Sequence, residues 1–426
     1  MIIRIGRGKV NAKCFIYIIL LVTLFMGTLS DDLGLPQNIR YLNDIFVLIL
    51  FLLIIFQRAF LKQVKRAQLN GILITMLIFS IVNFISIFIN LVPLNLVLWA
   101  IRNTYRFFVF YWACVFFLDK TDLEKIINFL YYLQWINVVL VIYQFFVLGL
   151  SQDNLGGLFG HGGNAGLLIY NTLLLSYALS KYTARQYSLF KFLFVFISTS
   201  LTSVLAEIRV FFIIVLIIIL INLIITRQNF KKVVVYIGAV VLFFIGVDIY
   251  SNLFPYVDLS FEALFKEGTS TGGGYNLSRL NAFSEINNLF FHDNIVKNAL
   301  GLGFGNCEYS SLDFFVSSFF KNYGFLNYRW FAHQWIFLET GYAGILSYAS
   351  IIFSVLIHGL KCLKRSAQYD KSWYEICIIM GAVCLVSLFY NSLLKADFAY
   401  IAFFSLSISG IISKDSGKKS YPTNSI

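Results

Sequence analysis

Charge is what this chain has least of: across 426 residues only 13% are Asp, Glu, Lys or Arg, and there are four histidines. So little charge cannot keep a chain of this length in water. Hydrophobic residues make up 59% and aromatics 18%, with a mean hydropathy of +0.78, which excludes an ordinary soluble globular protein and makes lipid the main solvent. Other absences narrow the function. No Gly-rich phosphate loop or nucleotide-binding domain is present, and no repeat relates the two halves of the chain, which speaks against an energy-coupled pump. No carboxylate, histidine or cysteine spacing suits a metal, and no cofactor is expected. Of the six cysteines, Cys14, Cys114, Cys377 and Cys384 fall in or beside apolar runs and Cys362 follows one. Only Cys307 lies in a long polar segment, so no disulfide can close within it.

What is present is a series of long apolar runs, such as CFIYIILLVTLFMGTLS (14–30) and VFFIIVLIIILINLII (210–225), each near the roughly 20 residues that cross a hydrocarbon core. In lipid a spanning segment must satisfy its own backbone, so runs of this continuity are helices. The expected fold is all-α, a polytopic membrane bundle of about 12 helices, at 14–30, 41–60, 70–90, 96–118, 126–149, 165–182, 189–206, 208–225, 233–254, 333–359, 374–393 and 397–413. The first run follows Arg4, Arg7, Lys9 and Lys13 without a small-residue cleavage site and is read as a retained helix. Residues 1–426 form one membrane domain.

An even number of spans leaves both termini on one side. The connections on that side hold Arg58, Lys62, Lys65 and Arg66, then Lys181, Arg185 and Lys191, then Arg227, Lys231 and Lys232, then Lys361, Lys364 and Arg365. The positive-inside rule makes that side the cytoplasm. The net charge of +12 is then topological, and no nucleic-acid partner is implied. On the opposite face residues 255–332 form one large external loop, with SRLNAFSEINNLFF (278–291) at helical spacing, NALGLGFGN after it and a run of aromatics, Phe314 to Phe331, beyond. Short amphipathic helices over the bundle are expected there, their aromatics in an interfacial belt.

The few ionisable residues on the external side are the candidate functional groups. Arg102 and Arg106, four apart in LWAIRNTYRFFVF, share one helix face; a snorkelling role or an ion pair with Asp44 or Glu207 is the structural alternative. Arg209 stands at the tip of a tight hairpin, SVLAEIRVFF, and Arg279 lies in the large loop. The segment RWFAHQWIFLETGYAG (329–344) places His333 and Glu339 where the chain re-enters the membrane. Six positions put Glu339 about 120° round the helix from His333, so it is assigned a structural partner, an arginine among the options. His161 sits in a glycine-rich turn, and Tyr328, Trp330 and Trp335 suit either sugar stacking or interfacial anchoring.

The order of these pieces carries a resemblance. GLFGHGGNAGLLIY (157–170), a Ser/Thr-rich helix turning at EIRVFF, a long loop with SRLNAF and GLGFGN, and re-entry at HQWIFLETGYAG together resemble the superfamily of O-antigen polymerases and O-antigen ligases, over roughly residues 150–360. The match is one of layout and short motifs; at the hairpin, EIRVFF, members often carry small residues beside the arginine where this chain has Ile208 and Val210.

The resemblance implies a GT-C-like glycosyltransferase in a bacterial inner membrane, acting on undecaprenyl-diphosphate-linked oligosaccharide at the outer leaflet, with a chain-length regulator protein as a further partner. In that reading Arg209 and Arg279 clamp the diphosphate, since a planar cation suits it, and His333 is the general base on the acceptor hydroxyl. Arg102, Arg106, Glu339 and His161 stand in a second tier. The reading leans to a polymerase, with a ligase that transfers the chain to lipid A-core as one alternative and a lipid-linked oligosaccharide flippase as the alternative of another class. A flippase would be expected to line a central cavity with its charges and to show related halves.

Overall fold

The structure is a computed structural model that describes residues 2–5, 8–56, 60–226, 230–255, 268–269, 276–367 and 370–419. Arg58, Arg227 and the first part of the expected external loop lie outside the described residues. Among the described residues there are twelve long helices: α1 (Ala12–Asp31), α2 (Tyr41–Ile55), α3 (Asn70–Ile89), α4 (Leu94–Phe117), α5 (Lys120–Phe146), α6 (Asn164–Thr183), α7 (Leu189–Leu205), α8 (Val210–Ile225), α9 (Phe230–Leu253), α10 (Ala332–Arg365), α11 (Lys371–Tyr390) and α12 (Ala399–Lys419). The only strands among the described residues are a short N-terminal hairpin, β1 (Ile2–Ile5) and β2 (Gly8–Asn11).

Seven of these helices, α1, α2, α3, α5, α9, α10 and α11, are long and apolar enough to cross a membrane, and α7 and α8 are shorter apolar helices. The other three, α4, α6 and α12, are diluted by polar residues, and their position explains why. In α6, 17 of 20 residues are buried, Asn171, Thr172, Ser176 and Ser180 among them, and α12 is buried through Ile412. A helix enclosed by other helices meets protein on every side, and there hydroxyls can bond to backbone: Ser176 and Ser405 donate to the carbonyls of Thr172 and Ala402 at 2.7 and 2.6 Å. The outer helices do the reverse. Ile74, Ile78, Ile81 and Phe88 of α3, and Tyr132, Trp135, Ile136 and Val139 of α5, are exposed, an apolar exterior that only lipid satisfies. The molecule is a polytopic membrane bundle in which α10 packs along α11 and α3, α12 along α4 and α11, and α2 against α1 and α4.

The two ends of the bundle differ. One is basic and pinned by charge. Lys13 pairs with Asp119 and Asp122 at 2.6 and 2.5 Å, Lys120 meets Asp370 at 2.5 Å, and Lys414 donates to the free carbonyls of Val115, Phe116 and Leu118 at 2.6–3.1 Å, a cation on the negative end of α4. At Asp119 burial favours the neutral acid, but the bonds from Lys13 and Thr121 outweigh it and hold the carboxyl well below the usual range.

The opposite end carries the long loop, and it does more than cover the bundle. Its described part, 276–331, contains short helices at Ala282–Ile286, Ile295–Leu300 and Ser318–Tyr323, but between them LGLGFGN dives inward. Helix α10 is broken at Gly341 (φ 60°, ψ −160°). The carbonyls released there are taken by the loop: Leu302 N–H donates to Leu338 at 2.8 Å and Gly303 N–H to Glu339 at 3.0 Å. Gly341 is needed on two counts, since its φ favours glycine and a Cβ would stand 2.5 Å from the carbonyl carbon of Ala299. The loop is thereby fastened into the membrane helices, and Cys307 and Glu308 end up fully buried. The expectation of helices lying over the bundle holds for the flanks of the loop and not for its centre.

Candidate functional site: a cationic cleft at the loop end

A cleft of about 470 Å³ opens at the loop end, within the range of small-ligand sites. The ends of α1 (Thr23, Gly27, Asp31) and α2 (Tyr41, Asn43), the outer half of α4 (Trp99, Arg102, Asn103, Arg106), the turn at Phe159 and His161, the loop at Tyr309 to Ser311, the start of α10 with Arg329 and Trp335, and Lys395 to Phe398 between α11 and α12 line it. Seven separate stretches of chain therefore meet in one place.

Arg102 and Arg106 converge as helical spacing requires, and they share Asp44. Arg102 Nε lies 3.0 Å from Asp44 Oδ2, with its Nη2 also on that oxygen, and Arg106 Nη1 lies 3.2 Å from Asp44 Oδ1. The second arm of Arg106 reaches Asp397 at 2.7 Å. The ion pair weighed for these arginines is present, with Asp44 as partner. It leaves them on the cleft wall: the guanidinium of Arg102 is held between the rings of Tyr41 and Trp99 at 5.0 and 4.6 Å. His161 also lines the cleft, its backbone N–H donating to Asp31 at 2.7 Å and its Nε2 3.5 Å from Asp32.

Behind the cleft lies a charged cluster that spacing along the chain does not suggest. Lys395 Nζ stands 3.4 Å from Glu308 and 3.8 Å from Glu339, with all three side chains at 2% exposure or less. Thr104 accepts from Lys395 at 3.1 Å, Asn103 Nδ2 donates to Glu308 at 2.6 Å, and the Gly305 N–H donates to Glu339 at 3.2 Å. The structural partner of Glu339 is thus a lysine and a loop amide and not an arginine. Lys395 and Glu308 are 87 positions apart, and only the inward dive of the loop joins them.

On the cleft wall, Arg329 is a cation held by aromatic rings. Its guanidinium is caged by Tyr309, Trp335 and Phe320 at 4.6, 4.8 and 5.5 Å, its buried Nε has no hydrogen-bond partner, and no carboxylate among the described residues forms an ion pair with it. Burial pushes its pKa down and the nearby Glu308 pushes it back; an arginine stays charged under both influences.

Arg279 and His333 come together elsewhere. His333 Nε2 lies 3.0 Å from the Arg279 carbonyl. Because a carbonyl can only accept, Nε2 carries the hydrogen and Nδ1 the lone pair, and that Nδ1 is buried without a partner. The ring is 1% exposed, tilted on Phe389 at 5.1 Å, while the guanidinium of Arg279 stacks on Tyr390 and Phe331 at 4.5 and 4.8 Å. Neither side chain is on the cleft wall, although Trp335, two residues beyond His333, is. Arg209 stands apart from both groups, in the turn after Glu207 (φ 52°), whose carboxylate accepts from the Gln152 N–H at 3.2 Å.

Sequence reasoning thus reached Arg102, Arg106 and His161 as second-tier residues and missed Arg40, Arg329, Lys395, Glu308 and Asp397. The available signal was weak. Arg329 opens the same RWFAHQW stretch that holds His333, and Lys395 with Asp397 forms a polar interruption, LLKADF, between two apolar helices. Among the described residues no group of three His, Cys, Asp or Glu has an arrangement that could hold a metal. No family model matches the chain, and no curated protein matches it.

Proposed function

We propose that the chain is a membrane glycosyltransferase of the polymerase type, joining undecaprenyl-diphosphate-linked repeat units at the outer face of a bacterial inner membrane. The observation that carries this reading is the cleft: Arg40, Arg102, Arg106, Arg329 and Lys395 converge on its wall, Arg102, Arg106 and Lys395 each beside a carboxylate and Arg329 without an ion pair among the described residues, and Tyr41, Trp99, Tyr309 and Trp335 supply aromatic faces beside them. Guanidinium forks suit a diphosphate, and indole and phenol faces suit the C–H faces of a sugar. In this reading all twelve long helices span, the basic end is cytoplasmic with both termini, and the loop end is external. Helices α4, α6 and α12 count as spans because they run beside helices that are apolar enough to cross.

The reaction follows from what must move. The acceptor hydroxyl attacks the anomeric carbon of the donor, the bond to the diphosphate oxygen breaks, the electron pair leaves with the diphosphate, and the hydroxyl proton passes to a base. The cations of the cleft stabilise the leaving charge. His333 is assigned the base on the resemblance; the Arg279 carbonyl holds the hydrogen on its Nε2, and the Leu388 backbone also lies against the ring. With the ring buried, that step requires the first turn of α10 to part from Phe389. Arg279, fixed beside it, and Arg209, which stands apart from the cleft, are assigned to the donor on the resemblance alone.

Deletion of the gene tests the reading through the surface glycan. Single repeats without a ladder are expected of a lost polymerase. Long chains unattached to lipid A-core would assign a ligase, and lipid-linked units retained on the cytoplasmic leaflet would assign a flippase.

A further inference from the structure

Beside the cleft lies a second cavity of about 340 Å³, lined by Tyr41, Asp44, Leu98, Trp99, Arg102, Leu312 and Phe315. It shares Tyr41, Trp99 and Arg102 with the first, so the two are neighbours across one wall. Their chemistry differs. The second is walled by leucine and aromatic rings, and on its outer side the surface continues as apolar residues that no helix covers: Leu94 and Leu98 on α4 are 72% and 55% exposed, and Ile45 and Leu48 on α2 are 54% and 58% exposed. It therefore opens toward the lipid, between the outer ends of α2 and α4.

The wall between the two spaces is built with care. Trp99 stacks on Phe315 with centroids 4.9 Å apart and planes at 15°, and its Nε1 donates to the Tyr309 carbonyl at 2.8 Å. Tyr41 Oη is 3.0 Å from Ser311 Oγ. These contacts fasten the loop across the top of the groove. Two charges stand at the threshold: Arg102, sandwiched between Tyr41 and Trp99, and Asp44, which pairs with it and lines the same cavity. An amphiphile has this same sequence of chemistries along its length: hydrocarbon, then an anionic junction, then a polar head.

We infer that the groove between α2 and α4 is a lateral entry in which the hydrocarbon chain of an anionic lipid lies, with Arg102 at the junction between chain and headgroup and the headgroup in the cleft. The inference rests on the reading of the cleft as an anion and sugar site and adds the route by which the substrate arrives. A ligand drawn from the bilayer need not leave it; only its head crosses the Tyr41–Trp99 wall. Asp44 holds Arg102 in place until a phosphate oxygen competes for the same fork.

The test uses the full chain in nanodiscs of phosphatidylcholine. A diazirine-bearing aliphatic amino acid, close to leucine in size, replaces Leu98 or, as the comparison, Ile136 on the outward face of α5, where lipid contact is general. The probes are radiolabelled C55 polyprenyl diphosphate, uncharged C55 polyprenol and water-soluble C10 geranyl diphosphate. Labelling by the C55 diphosphate is expected to be about tenfold stronger at position 98 than at 136 and stronger than by the polyprenol. Leu98→Phe and Leu98→Trp, which fill the groove without placing a charge in lipid or beside Arg102, are expected to lower C55 diphosphate retention about tenfold and to change C10 diphosphate binding no more than about twofold. Equal labelling at 98 and 136, equal labelling by polyprenol, or full C55 retention in both variants would overturn the entry. Loss of wild-type C10 diphosphate binding with C55 labelling at 98 intact would instead overturn the anion reading of the cleft and leave the groove standing for the chain.

Discussion

At the scale of single residues the molecule separates two kinds of buried charge. Arg102, Arg106 and Lys395 are compensated by carboxylates within 4 Å, whereas Arg329 is held only by aromatic faces. A cation stabilised by rings and left without a carboxylate is open to an incoming anion. Arg329→Lys keeps the charge and loses the planar stack, so C10 diphosphate affinity is expected to fall about tenfold, read by equilibrium binding on purified protein; unchanged affinity would remove Arg329 from the site. His333→Ala is expected to lower chain-forming activity by about 10² to 10⁴ while C10 diphosphate binding stays within about twofold. Full glycan ladders at matched protein level would return His333 to a packing role beside Phe389. For the Lys395 cluster, Lys395→Met leaves Glu308 and Glu339 facing each other without a counter-ion, at a cost of about 3–5 kcal/mol. Adding Glu308→Gln should recover a large part of it. Thermal unfolding in detergent measures both, and a double variant no better than the single would exclude the pairing.

At the scale of elements the decisive feature is the break in α10. A continuous helix there would keep the carbonyls of Leu338 and Glu339 for its own amides, and the loop amides of Leu302 and Gly303 would have nothing to bond. Gly341→Ala must place a side chain at φ 60° and against the Ala299 backbone, with conformational strain of order 1–3 kcal/mol before the clash is counted. A lower unfolding temperature and protease cleavage within the loop are expected. Gly71→Ala is the comparison, since a Cβ there meets nothing within 4 Å and alanine is the better helix former by about 1 kcal/mol. If both variants melt alike, the loop is not anchored through the break. The same logic explains why α6, α12 and the inner half of α4 look less like membrane helices than their neighbours: enclosure by protein relaxes the demand for apolar side chains.

At the scale of the whole molecule the charge is sorted by end. Lys62, Lys65, Arg66, Lys361, Lys364 and Arg365 lie at the end opposite the cleft, tied there by the Arg365 to Gln68 contact at 3.3 Å and the His358 to Ala67 contact at 2.9 Å. Reporter fusions after Lys65 and Lys364 are accordingly expected to read cytoplasmic, and fusions near Pro36, Asn154 and Asn306 to read external. A cytoplasmic reading at Asn306 would put the cleft in the wrong compartment for an outer-leaflet substrate and end the proposed function with it.

The sequence by itself determined the solvent, the class of fold and the placing of the twelve long helices, because apolar continuity and length are local properties and lipid imposes them segment by segment. Start and end points mostly agree within a few residues; α5 begins six residues before its expected start because Asp119 and Asp122 cap it, and α12 runs past 413. It also marked Arg102 and Arg106 as one face, since i and i+4 always coincide on a helix. Which of the external ionisable residues share a cavity was decided only by tertiary structure. Lys395, Glu308 and Glu339 meet because a glycine break in α10 admits the loop, and Arg329 and Arg102 line one cleft built from seven distant stretches. Contacts between groups dozens to hundreds of positions apart leave no period in a sequence; they follow from how helices pack and where a loop finds unsatisfied carbonyls, and those are properties of the assembled bundle.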